Sequence, residues 1–378
     1  QFHSTSEFFA DFGSYMVTIK LPRDWVVGTT GIEIGRRELV DDPDAGLQVE
    51  FRAERVHDFA WCAAPASMMA VVESDFEPGR DVPMVWLERS RRLLGLSAAE
   101  LELPPMKLRL MVPHSQRMLS DRMLRAARLG VAWFGLNYGP YPYPQLTIVS
   151  PPPTAGEAGG MEYPTLITTG ARRLHATVPM RWLPWIEMVT VHEIGHQYFQ
   201  GLLASNEFEQ AWLDEGLDTY TENSCMEAVF ADGLAPDLLW GGFWARQRAT
   251  HGLIRSPVTI DRKAWEYRGP LEFYTASFSK TSLALRTLEG LIGEEVFARA
   301  MRSYYQRYRF QHPTGADLFG VFSEVAGEDL SWYFEQAFHS EATVDWRVLK
   351  VRHHTAAELE GLSWDGSGWR LEAHEGER

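Results

Sequence analysis

The 378-residue chain has little cysteine, a deficit of positive charge and no long apolar run, and each shortage excludes a class of protein. Its two cysteines, Cys62 and Cys225, are too few for a disulfide framework or a cysteine-based zinc site. A formal net charge of −15 argues against nucleic acid as a partner, because phosphates require clustered cations. No apolar run reaches the roughly 20 residues that cross a bilayer, so we expect no transmembrane segment.

The start of the chain lacks the charged and apolar stretches of a signal peptide, which leaves the compartment open. Because the chain begins with Gln1 and soon enters a strand-like run, we expect a processed or truncated product. The composition, 45% apolar and 23% charged, is that of a globular protein. The chain is longer than a domain with a single hydrophobic core usually is, so we expect two or three domains. Oligomeric state is not indicated.

Local patterns predict a multidomain α+β chain. Tyr15, Val17, Ile19 and Leu21 alternate with polar residues, which predicts a strand with one buried face. Further strand-like runs lie at 47–56, 68–73, 83–87 and 107–112. Between the last two runs, the segment 89–105 is charged, then Leu/Ala-rich and closed by two prolines, and we interpret it as a surface excursion.

The pattern changes after Ser115. Apolar residues recur at helical spacing as far as Val131, and a proline-rich loop separates them from short strands predicted at 145–149 and 161–169. From Pro184 almost to Ser340 the pattern is helical. A strand-like tail then follows, marked by Val344, Trp346, Val348 and Leu349. The order is therefore a β module, a mixed sheet with helices, a helical segment and the start of a further β segment.

His192-Glu193-Ile194-Gly195-His196 forms the pattern H-E-x-x-H. On a helix, residues four apart lie on one face, so both imidazoles can bind one metal ion at about 2.0–2.1 Å. Glu193 lies between them and can reach a water molecule on that metal. Taken alone, the pattern leaves open a core helix with two hydrogen-bonded histidines.

Glu215 follows His196 at an interval that fits a helix, a reversing loop and a returning helix. Two histidines and one carboxylate leave a fourth tetrahedral position for water, which is typical of catalytic zinc sites. We therefore predict one zinc ion per chain, bound by His192, His196 and Glu215, with Glu193 as general base. Imidazole ligands also need partners for their other ring nitrogen. The candidates are Asp214, Asp218 and Glu222.

These motifs closely resemble those of the gluzincin aminopeptidases of the aminopeptidase N type. The resemblance rests on segments 192–199 and 212–216, and on the spacing between His196 and Glu215. Upstream, Gly159-Gly160-Met161-Glu162-Tyr163 is similar to the exopeptidase motif of that family, G-x-M-E-N. The resemblance implies a zinc aminopeptidase that acts on peptides with a free amino terminus.

The resemblance extends over roughly 8–340 and implies three parts. The first is an N-terminal β domain at 1–113, truncated at its start. The second, at 114–340, is a thermolysin-like zinc peptidase domain with a mixed sheet and a mainly helical second half. The third, at 341–378, is the start of a C-terminal β segment or domain.

Glu162 follows a glycine pair on a predicted strand, where glycine lets a substrate backbone approach closely. A carboxylate there can hold an α-ammonium group by a charge-assisted hydrogen bond. In the family the corresponding Glu has this role, so the resemblance implies that Gly159, Gly160, Met161 and Glu162 bind substrate. Tyr163 departs from the family's usual Asn.

In the family a tyrosine, usually in Tyr-x-Lys, stabilises the oxyanion of the transition state. The corresponding stretch here is Phe278-Ser279-Lys280, and Phe278 has no hydroxyl group. Tyr274, one helical turn earlier on the same face, is an alternative donor. Losing one oxyanion donor costs about 10²–10³ in rate. Two hypotheses therefore compete with the aminopeptidase: an inactive or weakly active peptide-binding scaffold, which Phe278 favours, and an endopeptidase, against which Glu162 argues.

Overall fold

The computed structural model describes residues 9–40, 46–155, 158–230, 242–253, 258–341, 350–351, 361–364, 366–367 and 369–372. The chain divides into two compact units, Gln1–Glu341 and Ala342–Arg378. In the second unit, Gly361–Trp364 and Trp369–Glu372 form an antiparallel pair. The strand-like run predicted at Val344, Trp346, Val348 and Leu349 lies outside the described residues.

The strands of the first unit form a five-stranded, a three-stranded and a two-stranded sheet among the described residues. In chain order they are β1 (Gly13–Leu21), β2 (Trp25–Thr29), β3 (Ile32–Glu38), β4 (Leu47–Val56), β5 (Trp61–Pro65), β6 (Met69–Phe76), β7 (Met106–Pro113), β8 (Gln145–Val149), β9 (Gly160–Met161) and β10 (Leu166–Thr169). The largest sheet has the order β6-β7-β8-β10-β9 and is mixed, because β8 runs parallel to β7 and β10 while the other pairs are antiparallel.

Helices dominate the second half of the first unit, as the sequence pattern predicts. In chain order the helices are α1 (Pro78–Asp81), α2 (Met84–Leu94), α3 (Ser120–Asn137), α4 (Trp185–Gly195), α5 (Glu207–Gln210), α6 (Trp212–Val229), α7 (Phe243–Leu253), α8 (Pro270–Phe273), α9 (Thr281–Ile292), α10 (Glu294–Tyr308), α11 (Gly315–Ala326) and α12 (Ser331–Phe338). A π-helical turn, Tyr274–Lys280, connects α8 and α9. Among the described residues, no helix has both the length and the apolar composition that a membrane span requires.

The main core joins the mixed sheet to α3, α4 and α6. Leu110 of β7, Ile148 of β8, Phe134 of α3 and Leu217 of α6 are fully buried in one cluster. Each such side chain contributes roughly 1.5–3 kcal/mol by leaving water. Helix α4 lies close to both neighbouring helices, because a Cβ atom at Gly195 would overlap Asp218 of α6 and Phe134 of α3. This close packing fixes the position of the H-E-x-x-H helix.

The remaining strands of the first unit form smaller sheets. The three-stranded sheet has the order β1-β4-β3, and β2 pairs with β5. In β1, Ile19 and Leu21 are buried whereas Met16, Thr18 and Lys20 are exposed, which confirms the predicted alternation. The mixed sheet includes strands on both sides of residue 113, since β6 and β7 precede it and β8 to β10 follow it. The division at 113 and 340 stays a prediction.

The segment 83–87 begins a helix, so the strand predicted there is wrong. Pro83 precedes the first helical residue, and Gly95 ends α2 with a left-handed backbone at φ 68°. The prediction that 89–105 is a surface excursion is wrong in part, because apolar residues are buried at the end of α2 and in the segment that follows it. They are Leu93, Leu94, Leu101 and Leu103.

The strand predicted over 161–169 is two antiparallel strands, β9 and β10. Pro164 has no N–H to donate, and Thr165 has a left-handed backbone at φ 58°, so the chain reverses between them. The reversal places β9 at the edge of the mixed sheet, with no further strand beyond it in the described part of the chain. Glu162 directly follows this edge strand.

Candidate metal centre

Helices α4 and α6 bring the predicted ligands together. Helix α4 ends at Gly195, but His196 keeps a helical backbone at φ −61° and ψ −21°, so it stays one turn from His192. The two imidazole Nε2 atoms are 3.1 Å apart. Glu215 of α6 places its Oε2 atom 3.5 Å from the Nε2 of His192 and 3.4 Å from that of His196.

These separations fit a tetrahedral zinc site. Metal–ligand bonds of about 2.0–2.1 Å place neighbouring tetrahedral ligands about 3.3–3.4 Å apart, and the three observed distances span 3.1–3.5 Å. The set of two imidazoles and one carboxylate is also the one found in catalytic zinc sites. On both grounds His192, His196 and Glu215 fit the metal.

All three candidate carboxylate partners of the histidines are used. The Nδ1 atom of His196 lies 2.5 Å from Asp214. That of His192 forms a hydrogen bond with Glu222 Oε2 at 3.2 Å and lies 2.7 Å from Asp218 Oδ2. Because carboxylates accept hydrogen bonds, each Nδ1 carries the proton and each Nε2 presents a lone pair. The carboxylates thereby select the tautomer that binds metal.

Arg246 of α7 is a residue of this site that sequence reasoning missed. Its Nη2 atom donates to Glu222 Oε1 at 2.9 Å. Burial raises the pKa of Glu222, but Arg246 and His192 together hold it below its usual value. No motif surrounds Arg246, and only the packing of α7 on α6 brings it near the histidines.

The carboxyl group of Glu193 is buried beside the ligands. Burial raises its pKa to about 8, although the two imidazoles act in the opposite direction. A bound dication would lower that pKa. A Cβ atom at Gly160 would come within 3.0 Å of Glu193 Oε1, so the glycine makes room for this carboxylate. Burial opposes ionisation of Glu215, yet His196 and His192 lower its pKa to about 2, which keeps it a charged ligand.

A cleft of about 450 Å³ surrounds these groups. Of the four predicted substrate-binding residues, Gly159, Gly160 and Glu162 line it, whereas Met161 does not. Tyr163, which stands where the resemblance leads one to expect Asn, packs instead beside an apolar cluster containing Met111 and Leu166. Glu162 therefore shares one cleft with Glu193 and the three predicted ligands.

The π-helical turn places Phe278 and Tyr274 in the same cleft. Their rings are stacked, with centroids 4.2 Å apart, which agrees with the prediction that they share a face. The Phe278 ring is also nearly parallel to the His192 imidazole at 6.1 Å. Lys280 does not line the cleft, and its Nζ atom donates a hydrogen bond to the carbonyl of Val258 at 2.6 Å.

The chain is similar to known proteins over this region. The family model described as "Peptidase family M1 domain" matches residues 132–337. The leucyl aminopeptidase of Saccharolobus solfataricus is 26% identical over 148 residues, which cover 38% of this chain and 18% of that protein. For the aminopeptidase N of Streptomyces lividans the identity is 24% over 228 residues, covering 57% of this chain and 25% of that protein.

Aminopeptidase 2 of Candida albicans is 27% identical over 210 residues, 52% of this chain and 21% of that protein. The matches therefore span a quarter or less of these relatives. Among solved structures, the M1 zinc metallopeptidase of Deinococcus radiodurans superposes with a TM-score of 0.61 at 16% identity, covering 89% of this chain and 66% of that one. This likeness shows the fold.

Proposed function

The chain belongs to peptidase family M1, and from that membership we propose that it is a zinc-dependent aminopeptidase, binding one zinc ion and releasing the first residue of peptides with a free amino terminus. One observation supports the proposal most strongly. The Nε2 atoms of His192 and His196 and the Oε2 atom of Glu215 converge within 3.1–3.5 Å of one another. Glu193 and Glu162 line the same cleft.

The reaction we propose divides between two carboxylates. A zinc ion at this site would polarise the scissile carbonyl and lower the pKa of water towards about 7. Glu193 accepts the proton of the attacking water and passes it to the leaving amine.

Glu162 determines which bond is cut. It follows the edge strand β9, to which an extended peptide can add by backbone hydrogen bonds. Its carboxylate then pairs with the α-ammonium group of the peptide, so the first peptide bond lies at the metal ligands. Charge-assisted contacts of this kind contribute about 1.5–3 kcal/mol.

A ten-residue peptide, supplied free and N-acetylated, tests this function by mass spectrometry. We expect a ladder of amino-terminal losses from the free peptide and almost none from the acetylated one. The near-isosteric Glu162→Gln should lower kcat/KM for free peptides by about 10- to 150-fold and leave the zinc content unchanged. Internal cuts at equal rates in both peptides would indicate an endopeptidase.

Phe278 supports the second candidate, an inactive or weakly active peptide-binding scaffold. It lines the cleft and stacks on His192, but its ring offers no hydroxyl for an oxyanion. In this case the protein would hold zinc and bind free peptides with little or no release of the first residue. The same digest, combined with zinc analysis, distinguishes the two candidates.

A further inference from the structure

A second cavity, of about 130 Å³, adjoins the cleft. Carbon atoms make up nearly all of its wall, which includes Met180, Leu183, Trp185, Met188 and Phe243. Trp185 and Met188 belong to α4, within two turns before His192. Both also line the cleft, so the cavity and the cleft share this part of α4 as a wall.

The direction of a bound peptide follows from β9. On the proposed function, the first residue of a peptide is held at Glu162, and the peptide extends antiparallel along the strand edge. Its second residue then lies about 3.3 Å further on, beside Gly160 and Gly159. Trp185 faces the cleft together with these glycines and also forms a wall of the cavity. The second side chain is thus directed towards Trp185.

The size and chemistry of the cavity select among side chains. An engineered apolar cavity of about 150 Å³ binds benzene, so 130 Å³ suits a leucine or phenyl group. Arg246 lies at the junction of cleft and cavity, but its charge is compensated by Glu222 at 2.9 Å. His175 at the rim accepts a hydrogen bond from the backbone N–H of Arg172 through Nδ1 at 3.2 Å, so its ring is neutral and carries its proton on Nε2. A charged side chain would lose its hydration here without gaining an unpaired counter-ion.

We propose that this cavity receives the side chain of the second residue of the peptide and selects leucine or phenylalanine over small or charged residues. The inference rests on the proposed function for the direction of the substrate. It adds a substrate class, peptides whose second residue is large and apolar, and a wall residue at which this selection can be tested, Leu183.

Kinetics on tripeptides of the form Ala-X-Ala test the selection. We expect kcat/KM for X = Leu or Phe to exceed that for X = Ala, Lys or Glu by at least about 10-fold, the scale on which hydrophobic pockets discriminate. The difference should appear while the first residue, and hence the contact with Glu162, stays constant. If alanine were released from all of these tripeptides with the same kcat/KM, the proposed role of the cavity would be wrong, whereas the aminopeptidase proposal would be supported.

A reversal of preference gives a test that misfolding cannot imitate. Leu183 is half-buried and lines the cavity, so Leu183→Glu places a carboxylate in its wall. This variant should lose its preference for X = Leu and favour X = Lys by about 10-fold. Trp182→Glu is the matched control, because Trp182 is 54% exposed in the same turn and does not line the cavity. An unchanged profile in Leu183→Glu would contradict the proposal.

A binding measurement tests the role of the cavity independently of catalysis. In a Glu193→Gln background, the intrinsic fluorescence of Trp185, which is half exposed, can report peptide affinity without turnover. We expect Ala-Leu-Ala to bind at least 10-fold more tightly than Ala-Ala-Ala, and Trp185→Phe to remove the signal. If the parent protein hydrolyses no peptide, and the preference for Ala-Leu-Ala is still observed, the proposed function is wrong but the cavity's role in binding is supported. Equal or absent binding of both peptides overturns the cavity.

Discussion

Phe278 and Tyr274 are stacked in the cleft with ring centroids 4.2 Å apart and an interplanar angle of 11°. The stack forms because the π-helical turn between α8 and α9 places both residues on one face. Phe278 is therefore an aromatic contact of the cleft, and the sequence resemblance predicts that it stands where the family has its tyrosine. Its ring also lies parallel to the imidazole of His192.

The first prediction concerns this stack. Phe278→Tyr should raise kcat/KM by up to about 10²–10³, because it adds an oxyanion donor beside the ligands. Tyr274→Phe, the matched removal of a hydroxyl from the same stack, should change the rate little. Steady-state kinetics on an aminoacyl reporter substrate measures both. If Tyr274→Phe abolished activity and Phe278→Tyr had no effect, Tyr274 would be the donor and the assignment of this segment would be wrong.

A second prediction distinguishes the two carboxylates near His192. The hydrogen bond of His192 Nδ1 goes to Glu222 at 3.2 Å, but Asp218 Oδ2 lies closer to this atom, at 2.7 Å, and Glu222 is also engaged by Arg246. Asp218→Ala should therefore weaken zinc binding more than Glu222→Ala, within the roughly 10- to 100-fold range of such partners. Competition with a chromogenic chelator measures the affinity. The exposed Asp121→Ala serves as control, and a larger loss in Glu222→Ala would reverse the assignment.

The sequence was sufficient to predict that His192, His196 and Glu193 share one site, because helical periodicity alone relates residues four apart. The prediction of Glu215 required only that the chain reverse between two helices. In the structure its Oε2 atom lies 3.4–3.5 Å from the Nε2 atoms of both histidines. These predictions depend on short-range geometry, which residue spacing encodes directly. The roles of all four residues stay predictions that the experiments here address.

Other features depended on tertiary packing and had no local signal. Arg246 reaches Glu222 from a different helix, and the apolar side cavity joins α4 to α7 through Met188 and Phe243. The strand predicted over 161–169 was wrong because β-like composition continues through Pro164, while the backbone reverses at Thr165. That reversal matters for the proposed function, since it creates the edge strand beside Glu162.

A third prediction concerns the buried base. Glu193→Gln should retain zinc and the native fold but lower kcat by at least about 10²–10⁴, the usual contribution of a positioned general base. Zinc content by atomic emission and secondary structure by circular dichroism provide the controls. Glu187 lies in the first turn of the helix that carries Glu193, is half-buried and pairs with Arg122 of α3, so Glu187→Gln is a matched substitution outside the cleft. Activity within a few-fold of the parent in Glu193→Gln would show that another group accepts the proton.

The last prediction concerns acid stability and His57, which follows β4 and is 3% exposed. Its ring meets Phe12 edge-on at 5.9 Å, and burial lowers its pKa to about 4 from an ordinary value near 6.5. Between pH 4 and 6.5 the unfolded chain therefore binds more protons than the folded one, so His57 contributes full stability above pH 6.5 and loses it as the pH falls. Between pH 7.5 and 4.5 the free energy of unfolding should fall by roughly 2–3 kcal/mol through His57.

Urea unfolding of zinc-free protein, followed by tryptophan fluorescence, measures this loss. For His57→Gln, the free energy of unfolding should depend less on pH by this amount. Equal slopes in the parent and the variant would mean that His57 can take up a proton without unfolding this region.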